Sequence, residues 1–339
     1  MRSMAAFVLA LGMLLWDAGA GAQDLPCEED PALARAAASL LASGEALSAG
    51  ALSRALREAD SDLPAAHSIL VPEGDRARLE RWIRELQERS DAPLRCGEAA
   101  SGTRRLLVAG PGGGRLLRPE AGPERLLPRL GAGFVDPLIL LEDRTGRIER
   151  RHLEEEDFDR GLRISEELLP PIRVQLLATG ARGPRPVAER VLGARVAAPP
   201  RPLPAGATRS TPAFIRALRA SEGAPGLRRN RLLDAEAERH ARHVCAAAQV
   251  SHHSARGDDP EARLARRGIQ ARLVGEAVAR AQSAPEALEA IASSPSHRLA
   301  VLDPRFTDVG HALARDARGT RCVVILLAAW PRRVGLLGR

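Results

Sequence analysis

The sequence predicts an α+β protein. Residues near its start carry apolar side chains at helical spacing, and the middle breaks into short apolar or alternating runs between turn signals. The last third returns to helices before closing on two strands. At 339 residues the chain is long enough for two ordinary domains with real cores.

Residues 1–22 read as a secretory signal peptide. Arg2 precedes an apolar run from Met4 to Trp16, and Ala20-Gly21-Ala22 forms a small-residue cleavage site before Gln23. The apolar run is shorter than the ~20 residues a spanning helix needs, and after cleavage no segment reads as transmembrane. Residues 23–98 read as a helical segment. Stretches 31–41 and 49–59 have helical spacing with Ser48 as N-cap of the second, and 74–87 sets Leu79, Trp82, Ile83 and Leu86 on one stripe, a core face anchored by Trp82.

Residues 99–195 read as a small β-rich domain, an antiparallel unit of which a sandwich is one form. Strands are expected at 104–109, 134–141, 147–153 and 173–178, the middle two as a hairpin around Thr145-Gly146. The Pro111-Gly112-Gly113-Gly114 stretch lacks the order and the Lys of a phosphate loop. Residues 196–211, with Pro199, Pro200, Pro202 and Pro204, read as a linker. Residues 212–332 form the last domain. Thr211 is the expected N-cap of a helix to about 221, followed by helices over 232–249, 259–267 and from the Ser283–Glu286 capping box to 291. A hairpin of strands at 306–314 and 321–330 ends it.

The net charge is +7, yet no Lys occurs, so all 50 basic residues are Arg, interspersed with 43 acidic ones. With no Tyr, five Phe and three Trp there is no platform for stacking bases, and the charge does not indicate a nucleic-acid partner. The cysteines Cys27, Cys96, Cys245 and Cys322 form no C-x-x-C, and export makes disulfides their expected use. Of three connectivities, Cys27–Cys96 with Cys245–Cys322 respects the domain division.

Four short signatures in the last domain stand out from the Arg-, Ala- and Leu-rich background. Ser251-His252 is followed by a short helix and Gly268. Gly275-Glu276-Ala277-Val278-Ala279 comes next, then Ser294-Pro295-Ser296-His297-Arg298. Asp303-Pro304-Arg305-Phe306-Thr307-Asp308-Val309-Gly310 follows directly, and an A-x-x-x-A helix (Ala237 to Ala241) precedes them all. In order and spacing these resemble the CAP superfamily, also called SCP or pathogenesis-related-1-like proteins, in its secreted bacterial form. The matching family segments are G-E-N-[IA]-A, S-P-G-H-R and N-P-x-F-T-x-[IV]-G. The resemblance covers about residues 212–330 and implies an α-β-α sandwich with a cleft lined by His252, Glu276 and His297, with Arg298 beside them. Ala277 replaces the family Asn and Ser296 a Gly. The usual Trp is missing near Ala290 and Ile291, and the second glutamate has no counterpart, Glu289 lying too early.

A carboxylate between two imidazoles has two uses. It can bind zinc or another divalent metal and leave a position open, or it can hold the histidines by charge-assisted hydrogen bonds that fix their tautomers. Two His and one Glu lack a nucleophile, so no catalytic residue is assigned. Of His252 and His253, one enters the cleft and the other is solvated. His240 and His243, three apart on a helix, read as structural, as does His311 on its strand. A Ser–His couple between Ser294 or Ser296 and His297 has no oxyanion donors to complete it.

The sequence therefore reads as an exported, extracellular or periplasmic CAP-type protein binding a lipid, a polymer or a protein partner in a His/Glu cleft. The alternative is a metal-dependent hydrolase or protease using the same cleft. In a third reading the β unit does the binding and the last domain is structural.

Overall fold

The computed structural model describes residues 25–44, 47–118, 125–193, 203–247 and 250–331. The signal-peptide expectation for residues 1–22 lies outside them, as do residues 196–202 of the expected linker.

The chain begins with β1 (Glu28–Glu29), α1 (Pro31–Ser43), α2 (Ala49–Glu58), β2 (His67–Pro72), α3 (Arg76–Glu88), β3 (Leu94–Ser101) and β4 (Arg104–Pro111). Asp30 caps α1 by accepting from the Ala32 and Leu33 amides, and Pro31 takes the first helical position, where no donor is needed. The strands form one sheet in the order β1-β3-β4-β2. Alternation along β4 sends Leu106 and Val108 under α1 and α2, and Leu107 and Ala109 under α3. Sequence patterning placed only helices before residue 98. The strands β2 and β3 were missed because a half-buried run of six to eight residues has too little period to separate it from a helix end. Cys27 and Cys96 form a disulfide that ties β1 to β3.

Next come β5 (Gly114–Leu117), β6 (Arg125–Leu130), β7 (Val135–Glu142), β8 (Ile148–His152), α4 (Glu155–Arg160), β9 (Leu162–Arg163), β10 (Ile172–Gly180) and β11 (Gly183–Leu192). The sheets β11-β10-β7-β8 and β5-β6-β9 share one core, with Ile139, Leu141, Val174 and Leu176 facing Leu116, Leu126 and Leu162. The other face of the larger sheet is polar. Glu142 pairs in register with Arg173, and Gln175 with Glu189, so these side chains share that face. It packs against the last part of the chain.

That part contains α5 (Thr211–Ser221), β12 (Arg228–Arg229), α6 (Arg231–Ala246), α7 (Pro260–Ala265), β13 (Leu273–Ala281), α8 (Ala284–Ser293), α9 (Pro295–Leu302), β14 (Asp308–Arg315) and β15 (Arg321–Ala329). Ser210, not Thr211, caps α5, accepting from the Ala213 amide. The sheet order is β12-β14-β15-β13. β15 is central and apolar from Cys322 onward: Val323, Ile325 and Leu327 pack under α5, α8 and α9, while Val324, Leu326 and Ala328 pack under α6 and α7. These are the three layers α-β-α. Two signature glycines permit it. A Cβ at Gly310 would lie 2.1 Å from the Leu233 carbonyl carbon on α6, and one at Gly275 would lie 2.5 Å from the Phe306 ring. Cys245 and Cys322 form the second disulfide, joining α6 to β15. Among the described residues no helix is long and apolar enough to cross a membrane.

Candidate functional site

Alternation along β13 puts Glu276 on the α6–α7 side of the sheet, together with Val278. Its side chain is 1% exposed, and both oxygens are taken. Oε1 lies 2.9 Å from His252 Nδ1 and 3.6 Å from His240 Nε2. Oε2 accepts from Arg263 Nη2. Arg263 stands on α7, a short helix set by Asp259 as N-cap and Pro260 at its start. It also pairs with Glu236 of α6 at 3.3 Å and donates to the His252 carbonyl. His240 donates from Nε2 to the Ser251 carbonyl at 2.9 Å, which fixes the loop carrying His252.

Burial alone would push the Glu276 carboxyl up. The hydrogen bond from His252 and the charges of Arg263, His240 and His252 outweigh it and hold the carboxyl below its usual range. An ionised Glu276 can only accept, so the shared proton sits on His252 Nδ1. The structure thus selects His252 for the cluster. His253 turns away, and its Nδ1 donates to the Ala181 carbonyl at the β10–β11 turn, 3.0 Å off.

His297, on α9, joins His252 in lining the cleft but forms no hydrogen bond to Glu276, and its Nδ1 has no partner among the described residues. Burial and the neighbouring His252 lower its pKa to about 4. A histidine at 6.5 when unfolded and about 4 when folded takes up protons preferentially in the unfolded chain. Stability therefore falls as pH drops from 6.5 to 4, by on the order of 3 kcal/mol. His240 and His311, also lowered mainly by burial, act in the same direction. Urea unfolding at pH 7 and pH 4 should give a smaller stability difference for His297→Gln than for the parent protein.

Arg298, expected beside the cleft, is elsewhere. Its guanidinium is 3% exposed and bridges to Glu142 of β7 and, at 2.9 Å, to Glu222 after α5. It fastens the last domain to the preceding sheet. The expected metal set of His252, Glu276 and His297 does not assemble: among the described residues no three His, Cys, Asp or Glu side chains are grouped to hold an ion. The physical reason is Arg263, a fixed cation already on the carboxylate that a metal would need. Ser294 and Ser296 bond each other through their hydroxyls at 3.0 Å, and neither bonds His297.

The cleft opens into a cavity of about 1,700 Å³ that also has walls from the first sheet with its helices and from β10 and β11. Trp82, Arg173, Gln175, Arg185, His252 and His297 all line it. The parts are stitched together at its rim. Gln175, 1% exposed, donates to Glu189 at 2.9 Å and accepts from the Ser296 amide at 3.1 Å. Arg173 donates to the Ser293 carbonyl, and the His252 amide donates to the Arg182 carbonyl at 3.3 Å. Arg263 and these cross-contacts were not found by sequence reasoning, which read His240 as structural but did not place it beside Glu276. In a chain whose every basic residue is Arg, nothing marks the few that are buried.

Fold and site together define a three-layer cleft domain built around a buried carboxylate. That domain is a CAP domain: residues 213–327 match the family model described as the cysteine-rich secretory protein family. Among solved structures, an outer surface protein from Borrelia burgdorferi is 19% identical, with a TM-score of 0.33, over 35% of this chain and 88% of its own. An extracellular protein containing an SCP domain from Bacillus anthracis is 14% identical, TM-score 0.32, over 64% of this chain and 86% of its own. A cysteine-rich secretory protein from Staphylococcus aureus is 14% identical, TM-score 0.29, over 54% and 63% respectively. Comparison with curated proteins gave no match.

Proposed function

We propose that this is an exported binding protein whose CAP domain holds a ligand in the cleft at His252 and His297, with residues 23–195 supplying the opposite wall. The observation that carries the reading is the saturation of Glu276 by His252 and Arg263. A carboxylate so engaged is a poor metal ligand and a poor general base, but it holds the His252 ring in a fixed orientation at the cleft wall through its Nδ1 proton. Export is supported by the N-terminal sequence pattern and by the two disulfides. The last stretch, 212–332, has cores made only of its own residues, which supports treating it as a unit, whereas the first sheet draws Leu106 to Ala109 from beyond residue 98.

Metal analysis of the purified full-length protein tests this. The expected result is less than stoichiometric zinc and no change in melting temperature with a chelator, for the parent and for His252→Ala and His297→Ala. One zinc per chain that disappears in His252→Ala would transfer the cleft to the metal-dependent hydrolase reading.

A further inference from the structure

A sheet edge is a row of unpaired N–H and C=O groups, and proteins cover or blunt such edges. The β12-β14-β15-β13 sheet leaves two strands to protect, β14 beyond its short partner and β13 at the far side. The β14 edge is covered where it begins. β12 pairs with Asp308 and Val309, and Asp234 of α6 accepts from the His311 amide at 3.0 Å.

β13 has no such cover. It pairs with β15 from Leu273 to Ala281, and among the described residues no backbone or side-chain group bonds its other edge. In an antiparallel ladder every second residue turns both its N–H and its C=O away from the partner strand. Val278, Ala279, Arg280 and Ala281 all line the cavity, so two of them present a donor and an acceptor to it, roughly 7 Å apart. The bare edge thus lies inside the molecule. α8 and α9 pack against β13 and bring Glu286 and His297 to the cavity wall. His252, bonded to Glu276 of the same strand, lines it as well, and Trp82 and Leu86 of α3 form part of the wall from the first sheet.

We propose that the cavity takes an acidic peptide segment in extended conformation, which adds to β13 as a fifth strand alongside Val278–Ala281. This rests on the reading of the cleft as a binding site and names the class of molecule it binds. Donor–acceptor pairs at two-residue spacing match the repeat of another extended backbone, whose main-chain bonds supply affinity whatever its sequence. At about 1,700 Å³ the space exceeds the ~300–1,000 Å³ of small-molecule pockets. Its walls carry nine Arg against six Asp and Glu, an excess of positive charge that favours carboxylate side chains on the incoming strand.

The test is calorimetric titration of the full-length protein with three mixtures of blocked heptapeptides. In the first, Glu alternates with Val, Ile, Thr or Phe. In the second, Lys replaces Glu, and the third repeats the first with every backbone amide N-methylated. The first should bind, and each of the others should bind at least roughly tenfold more weakly. With the first mixture bound, amide exchange followed by NMR should slow at alternate residues of Val278–Ala281. Those are the amides that exchange fast in the free protein; the ones between, already bonded to β15, should not change. Binding that survives N-methylation, or that protects no amide of β13, would overturn strand addition. Equal binding of the Lys mixture would overturn the charge assignment. Protein purified under native conditions with a non-peptide molecule in the cavity, and indifferent to all three mixtures, would overturn the peptide class and leave the binding cleft standing. No retained molecule and no binding of any mixture would count against both.

Discussion

Arg298→Met is expected to lower the stability of the full-length protein by about 3–5 kcal/mol, the usual effect of stripping one partner from a buried ion pair. Glu142 is 6% exposed and lies 156 positions earlier in the sequence, on the face of the β7 sheet that meets α9. Burial already pushes its carboxyl up, and Arg298, with Arg173, is what pulls it back. Without the guanidinium the charged form has lost its main counter-ion. Two further outcomes follow. The deficit should shrink as pH is lowered towards 5, because a protonated Glu142 needs no cation and a carboxyl with a raised pKa favours the folded state on the acid side. The double variant Arg298→Met with Glu142→Gln should recover most of the loss. Urea unfolding of the four proteins in that cycle measures the coupling. An additive cycle would show that the bridge between the two halves of the molecule contributes nothing.

The second large effect is expected at Arg263. Arg263→Leu leaves Glu276 buried with only His252 as a close partner and removes the donor to the His252 carbonyl, so a loss of about 3–5 kcal/mol is again expected. Arg263→Lys keeps the charge, but a single ammonium cannot serve Glu276, Glu236 and a carbonyl at once, so it should fall between the parent and the leucine variant. Thermal unfolding ranks the three. A lysine variant as stable as the parent would mean that charge alone matters, not the fork geometry that also positions the histidine loop.

These two arginines show where sequence reasoning stops. The CAP layers were legible because each signature has a local physical cause. Gly310 and Gly275 sit where a Cβ would strike Leu233 and Phe306. The Ser283 cap and the unbroken apolar run of β15 announce their elements directly. The disulfide pairing followed from keeping cysteines within their own segments, and both bonds form as expected. The pairing of His252 with Glu276 was readable from the signatures too. What could not be read is long-range. Arg298 belongs to a signature of the last domain, yet its partner is a glutamate of β7, and no local pattern joins positions so far apart. Strands β2, β3 and β13 were missed for the opposite reason: each is short or Ala- and Gly-rich, so its alternation is faint. The enclosure of the cleft by the first two sheets depends on how whole faces meet, and spacing along one chain carries no record of that.

The account turns on which nitrogen of His252 holds the proton. Long-range proton–nitrogen correlation spectra of the full-length protein at pH 7, assigned through His252→Gln, report it directly. The expected result is a proton on His252 Nδ1, shared with an ionised Glu276. A neutral ring protonated at Nε2 would contradict it, because Nδ1 would then be an acceptor facing an acceptor, and Glu276 could not be the charged anchor of the cleft.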